Sequence, residues 1–154
     1  MSDHVFHDIF LHITWHTKND LLLIKGDFEQ AVYQFVRRRC ARARGVHLHG
    51  IGGTENHLHL ALSIEPFVNV SDLVGELKGA SAREINKRKR VKALYWQRGF
   101  GVVSFGRKNL PFVLKYIEDQ KEHHAKGTTR DRLERTGTEG GSGREGTESA
   151  PVDG

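Results

Sequence analysis

Residues 57–64 read His57-Leu58-His59-Leu60-Ala61-Leu62-Ser63-Ile64. Along a β-strand, successive side chains point to opposite faces. His57 and His59 therefore share one face, and Leu58, Leu60 and Leu62 share the other. The leucines commit their face to a core, which fixes the strand. The opposite face then carries two imidazoles at i and i+2, close enough to share one divalent cation. His47 and His49 repeat the spacing a few residues earlier, without the leucine-rich reverse side, and make a weaker pair.

Working outward, residues 9–16 alternate as well. Ile9, Leu11, Ile13 and Trp15 lie on one face and Phe10, His12, Thr14 and His16 on the other, which predicts a strand. Phe28, Ala31, Val32, Phe35 and Cys40 recur at helical spacing behind Asp27, which with Gln30 resembles an N-cap and its N3 partner; Gly45 supplies the stop. Val46 to Ile51 predicts a strand, and Gly52-Gly53-Thr54-Glu55 a hairpin turn into residues 57–64. Ser71 opens a second helix with Leu73, Val74, Leu77, Ala80 and Ile85 inward. Gly101 to Phe105 predicts a short fourth strand, and Asn109 opens a last helix to about His124. The order β-α-β-β-α-β-α predicts an α+β fold: a ferredoxin-like, RRM-like four-stranded antiparallel sheet with helices on one face plus a C-terminal helix. The other sheet face is left for a ligand or for that last helix.

The chain has 154 residues, material for one domain. It has no run of 18 apolar residues, which argues against a transmembrane helix. Met1 to Asp8 lacks the apolar segment of a secretory leader. Cys40 is the only cysteine, which excludes an intrachain disulfide and a cysteine zinc cage; a reducing, cytoplasmic setting is expected. The net charge is +5, with the basic residues concentrated before residue 127. They cluster at Arg37, Arg38, Arg39, Arg42 and Arg44, and at Arg83, Lys87, Arg88, Lys89, Arg90 and Lys92. A polyanionic partner, nucleic acid first, fits this pattern, although a solvated basic surface would produce it too. Residues 127–154 are rich in Gly, Thr, Glu and Arg with few large aliphatics, and are expected to be disordered.

The last predicted helix carries Tyr116 and Gln120, four residues apart and so on one helical face. A tyrosine becomes a nucleophile when its phenol is deprotonated or its attack is assisted by a metal. Gln120 offers a carbonyl oxygen that could complete a cation site. Each feature alone is also what an ordinary amphipathic helix would show.

Taken together, His57-Leu58-His59 on a strand, Tyr116 on a late helix and Gln120 one turn on resemble the single-tyrosine HUH-superfamily transposases. These are the small insertion-sequence transposases, whose relatives include the REP-associated tyrosine transposases. His12-Ile13-Thr14-Trp15-His16-Thr17-Lys18 is similar to the family's first strand. Trp96-Gln97-Arg98-Gly99-Phe100-Gly101-Val102-Val103-Ser104 resembles the segment before the last helix. Residues 116–124 resemble the tyrosine helix. The likeness spans about residues 4–126, so residues 1–126 are expected to form the transposase domain. Thr54, where relatives often carry proline, and Asp119, where they often carry asparagine, depart from the pattern.

The resemblance implies a catalytic Tyr116 and a divalent metal, Mg²⁺ or Mn²⁺, held by His57, His59 and Gln120. It implies single-stranded DNA with a hairpin as partner, cut through a 5′-phosphotyrosine link and rejoined. It also implies a homodimer with possible trans active sites. Arg37, Arg38, Arg83, Lys87, Arg88, Trp96 and Arg98 are the candidate DNA contacts, the basic ones through phosphates and Trp96 by stacking. Two histidines and one amide form a sparse set for Mg²⁺, so weak metal affinity is expected. The chemistry requires imidazoles open to solvent and a phenol that reaches them. A non-catalytic single-stranded nucleic-acid-binding module, a hydrolase using water and a domesticated relative remain alternatives.

Overall fold

The computed structural model describes residues 4–89 and 93–137. Strands β1 (Ile9–His16), β2 (Val46–Thr54), β3 (His57–Ile64) and β4 (Gly101–Phe105) form one sheet in the order β2-β3-β1-β4. Every neighbouring pair is antiparallel. With helices α1 (Asp27–Arg42) and α2 (Val70–Lys89) as the two crossovers, this is the expected ferredoxin-like arrangement. Among the described residues no helix is long and apolar enough to cross a membrane.

The alternation in β1 and β3 builds the main core. Ile13, Trp15, Leu58, Leu60 and Leu62 are fully buried on one face, packed with Val32, Val36 and Cys40 of α1 and Val74, Leu77 and Ile85 of α2. Each such aliphatic contributes roughly 1.5–3 kcal/mol by leaving water. The register sets His16 beside His57 and Thr14 beside His59, so the opposite face gathers His12, Thr14, His57 and His59.

That second face is covered by α3 (Leu110–Glu118), α4 (Gln120–Lys126) and the short α5 (Asp131–Glu134). Val113 and Ile117 of α3 bury against Ala61, with Leu114 and Phe105 beside them. The helix sits directly on β2. A Cβ at Gly52 would lie 2.6 Å from the Ile117 carbonyl oxygen, and one at Gly50 would lie 2.7 Å from Leu114 Cδ2.

Several local expectations change. Gly52, Gly53 and Thr54 are strand, and the turn is Glu55-Asn56; the glycines serve the close approach of α3 and of β3. Gly26, at φ 62°, holds the N-cap position of α1, which makes Asp27 its first helical residue. Asn69 caps α2, its side-chain oxygen accepting the Asp72 amide at 3.0 Å, in place of Ser71. The last helix breaks at Asp119 (φ −97°, ψ 22°) and restarts as α4, so Tyr116 and Gln120 sit on separate segments. Residues 128–137, part of the stretch expected from its composition to be disordered, are among the described residues. They fold back over the sheet, where Leu133 is buried and the Gly137 amide donates to the Phe100 carbonyl at 3.3 Å. Residues 138–154, the side chain of Lys89, and Arg90 and Lys92 lie outside the described residues.

Candidate active site

β3 delivers His57 and His59 with their Nε2 atoms toward α3 and α4, and their Nδ1 atoms are engaged from behind. Nδ1 of His57 lies 2.7 Å from Asn56 Oδ1 and 2.9 Å from Thr54 Oγ1. Nδ1 of His59 lies 2.8 Å from Nε2 of His12. A carboxamide oxygen can only accept, so His57 Nδ1–H is the donor to Asn56, which fixes the ring with Nε2 turned toward Gln120. Nε2 of His59 is fully buried without a hydrogen-bond partner. A buried ring nitrogen left unpaired costs free energy unless something binds it. Burial holds His59 near a pKa of about 4, against the pull of Glu134, and His12 near about 3, so both rings are neutral near pH 7.

Gln120 begins α4, and its Oε1 lies 3.3 Å from His57 Nε2 and 2.9 Å from His124 Nε2. Tyr116, near the end of α3, turns its ring edge to His59 with centroids 6.1 Å apart. Its hydroxyl donates to Glu134 Oε2 and accepts the Arg130 amide at 2.9 Å. Burial, with the Glu134 hydrogen bond adding to it, pushes the phenol up to about 12.

The fold thus brings the predicted His57, His59, Gln120 and Tyr116 together within one chain. The donor set fits a divalent cation: two imidazole nitrogens, that of His59 making no hydrogen bond, and an amide oxygen. Against that set, the chain aligns with the family described as "Transposase IS200 like" over residues 5–120.

The chain belongs to the IS200-like transposase family.

Its relatives include the transposases for insertion sequence element IS200 of Salmonella typhimurium and Salmonella typhi. Each is 28% identical over 122 residues, covering 75% of this chain and 79% of the relative. Among solved structures, a transposase-type protein of Deinococcus radiodurans r1 shares the fold at a TM-score of 0.62 with 21% identity, covering 78% of this chain and 96% of the other. A REP-associated tyrosine transposase bound to a REP hairpin shares it at 0.57 with 13% identity, covering 84% and 76%.

In this IS200-like transposase the imidazoles are not open to solvent, contrary to the requirement set by sequence. His57 is 2% exposed and His59 0%. Their cover includes polar groups: Gln120, His124 and Glu134. His124 packs its ring on His57 at 4.7 Å. Glu134 Oε1 lies 3.5 Å from His57 Nε2, 3.3 Å from His59 Nε2 and 3.4 Å from His124 Nε2. Burial alone would raise its pKa, but contacts with His57, His59 and Tyr116 hold it well below the usual carboxylate range.

Three site residues escaped the sequence reading. His12 was visible as a member of the polar face of β1. His124 follows Gln120 by one helical turn. Glu134 stands in a compositionally plain segment, marked only by Leu133 beside it.

The other candidates lie apart from this cluster. Arg37 and Arg38 sit exposed on α1, and Arg83, Lys87 and Arg88 on α2, against the sheet face opposite His57 and His59. Arg88 pairs with Glu84. Trp96 is half-buried, edge-on to Trp15 at 5.7 Å, with Nε1 donating to Ser81 Oγ at 2.9 Å. Arg98 is exposed in the loop before β4. His47 and His49 are exposed and belong to no group of metal-ligating residues among those described.

Proposed function

We propose that this transposase cuts and rejoins single-stranded DNA with Tyr116 as nucleophile, at sites marked by a DNA hairpin. The observation that supports this most is the convergence of the Tyr116 phenol with the His57–His59 pair and the Gln120 oxygen in one chain.

His57, His59 and Gln120 would hold the divalent ion, Mg²⁺ or Mn²⁺. When bound, such an ion polarises a phosphate oxygen and offsets charge developing in the transition state. The chain's own residues do the rest. Asn56 and His12 orient the two imidazoles. The phenol oxygen of Tyr116 attacks phosphorus, the bond from phosphorus to the 3′ oxygen breaks, and the proton lost by the phenol ends on that leaving oxygen. The products are a 5′-phosphotyrosine and a free 3′-OH. Attack by a second 3′-OH reverses the step and rejoins strands, so no ATP is consumed.

Substrate reaches this site once residues 128–134 lift from it, because Glu134 occupies the space in front of the imidazoles. The hairpin assignment draws on the structural relative bound to a REP hairpin. Arg37, Arg38, Arg83, Lys87, Arg88 and Arg98 would contact phosphates away from the cut, with a steep salt dependence. Trp96 offers at most one partly exposed face for stacking.

The test incubates the protein with end-labelled single-stranded hairpin DNA and Mn²⁺. A denaturation-resistant adduct that maps to Tyr116 is the expected product, absent from Tyr116→Phe, which still binds the hairpin. Cleavage without an adduct would assign the attack to water; binding without cleavage would make the chain a binding module.

A further inference from the structure

We infer that Glu134 and His124 are themselves ligands of the cation, so that the C-terminal segment 128–137 closes the metal centre with an anionic donor. This rests on the metal-dependent reading above and extends it to residues that the sequence pattern did not mark.

Geometry carries the first part. The ligand atoms of His57, His59, His124 and Glu134 all lie within 4.8 Å of one another. The three Nε2-to-Oε1 separations are 3.5, 3.3 and 3.4 Å. These are long for hydrogen bonds. A cation with tetrahedral donors at about 2.1 Å holds those donors about 3.4 Å apart. The carboxylate is therefore spaced from three imidazoles as one ligand is from the others. Gln120 Oε1, 2.9 Å from His124 Nε2 and 3.3 Å from His57 Nε2, borders the same centre.

Charge carries the second part. Glu134 is largely buried, and among the described residues its ion-pair partners are imidazoles alone. A largely buried carboxylate is costly without a cation beside it, and the His59 Nε2 that faces it at 3.3 Å is buried and makes no hydrogen bond. One divalent cation between them satisfies both. Three imidazoles and a carboxylate also suit a first-row transition ion better than Mg²⁺, which prefers oxygen.

The segment is built to deliver this residue. Gly127, at φ 70°, ends α4 in the left-handed conformation and reverses the chain. The Thr128 amide bonds to the His123 carbonyl, Arg130 donates to Tyr116, and an Arg132 guanidinium nitrogen donates to the Ser104 carbonyl at 3.2 Å. Gly101 leaves room for the backbone of Arg135, which a side chain there would strike. Metal uptake then tightens a closure that these contacts already make, and an incoming phosphate must displace Glu134.

The experiment titrates Mn²⁺ calorimetrically into the full chain freed of metal, as wild type, Glu134→Gln and Gly101→Ala. Parallel digestions with trypsin follow cleavage after Arg130, Arg132 and Arg135. Wild type is expected to bind one ion, with Glu134→Gln weaker by about tenfold or more. Gly101→Ala, which keeps the carboxylate but obstructs the segment, is expected to lose affinity likewise. Mn²⁺ should slow cleavage at the three arginines in wild type and not in Glu134→Gln. Circular dichroism confirms that the variants are folded. Equal or tighter binding by folded Glu134→Gln overturns the inference, making Glu134 a competitor of the metal; adduct formation in the same preparations would then leave the nuclease reading standing. Absence of Mn²⁺ uptake by wild type removes the metal centre itself, and both readings with it.

Discussion

Nε2 of His12 on β1 stands 2.8 Å from Nδ1 of His59 on β3, with both rings buried. For His59 to present the lone pair of Nε2 to a cation, its Nδ1–H must donate to His12. His12 thus sets the tautomer and the angle of its neighbour. His12→Ala should weaken Mn²⁺ affinity by about 10–100-fold while leaving hairpin binding near wild type. Calorimetry and a gel-shift titration check the two halves; unchanged Mn²⁺ affinity would remove the positioning role.

Gly52 is the seat of α3. A methyl group there meets the Ile117 carbonyl oxygen at 2.6 Å and Ile117 Cγ2 at 3.0 Å, and backbone yields poorly. Gly52→Ala should cost about 1–3 kcal/mol, seen in denaturant unfolding. Because Tyr116 rides on the same helix, adduct formation should fall by a larger factor than hairpin affinity. Equal losses in both would mean that the helix moves without disturbing the phenol.

Tyr116→Phe removes a hydroxyl that donates to Glu134 and accepts from the Arg130 amide. Besides losing the adduct, the variant should free residues 128–137 at a cost on the order of 1–2 kcal/mol. Faster hydrogen exchange confined to that segment is the expected readout. Unaltered exchange would show that the segment is held by Leu133 and the β4 edge alone.

Assembly within one chain predicts the outcome of a mixing experiment. Tyr116→Phe and His57→Ala proteins, unfolded and refolded together, should form no more adduct than either alone. Recovery of activity would place the tyrosine helix of one protomer against the histidines of another.

Cys40 is 1% exposed in the core under α1, and burial pushes its thiol up to about 11 from an ordinary 9.0. The unfolded thiol ionises first, so its contribution to stability is intact below pH 9 and declines as pH rises from 9 to 11. The slope is at most about 1.4 kcal/mol per pH unit. Unfolding of wild type and Cys40→Ala at pH 8, 9.5 and 10.5 should converge by that amount. A constant difference across the three would show that the folded thiol ionises normally.

Much of the molecule was legible in its sequence because the deciding patterns are local. The period-two alternation of residues 9–16 and 57–64 fixed two strands and put His57 and His59 opposite Leu58, Leu60 and Leu62. The helical spacing of Phe28, Ala31, Val32, Phe35 and Cys40 fixed α1. Such periodicities belong to single segments and can be read without neighbours. What brings segments together is register and packing, which no single segment encodes. Only the fold put His12 behind His59, returned His124 and Glu134 to the imidazoles, broke the last helix at Asp119, and turned Gly52 and Gly53 from punctuation into a seat for close packing. Glu134 is the sharpest instance: polar and in a Gly- and Thr-rich stretch, it has no pattern of its own, and its meaning comes wholly from the buried nitrogens that it faces.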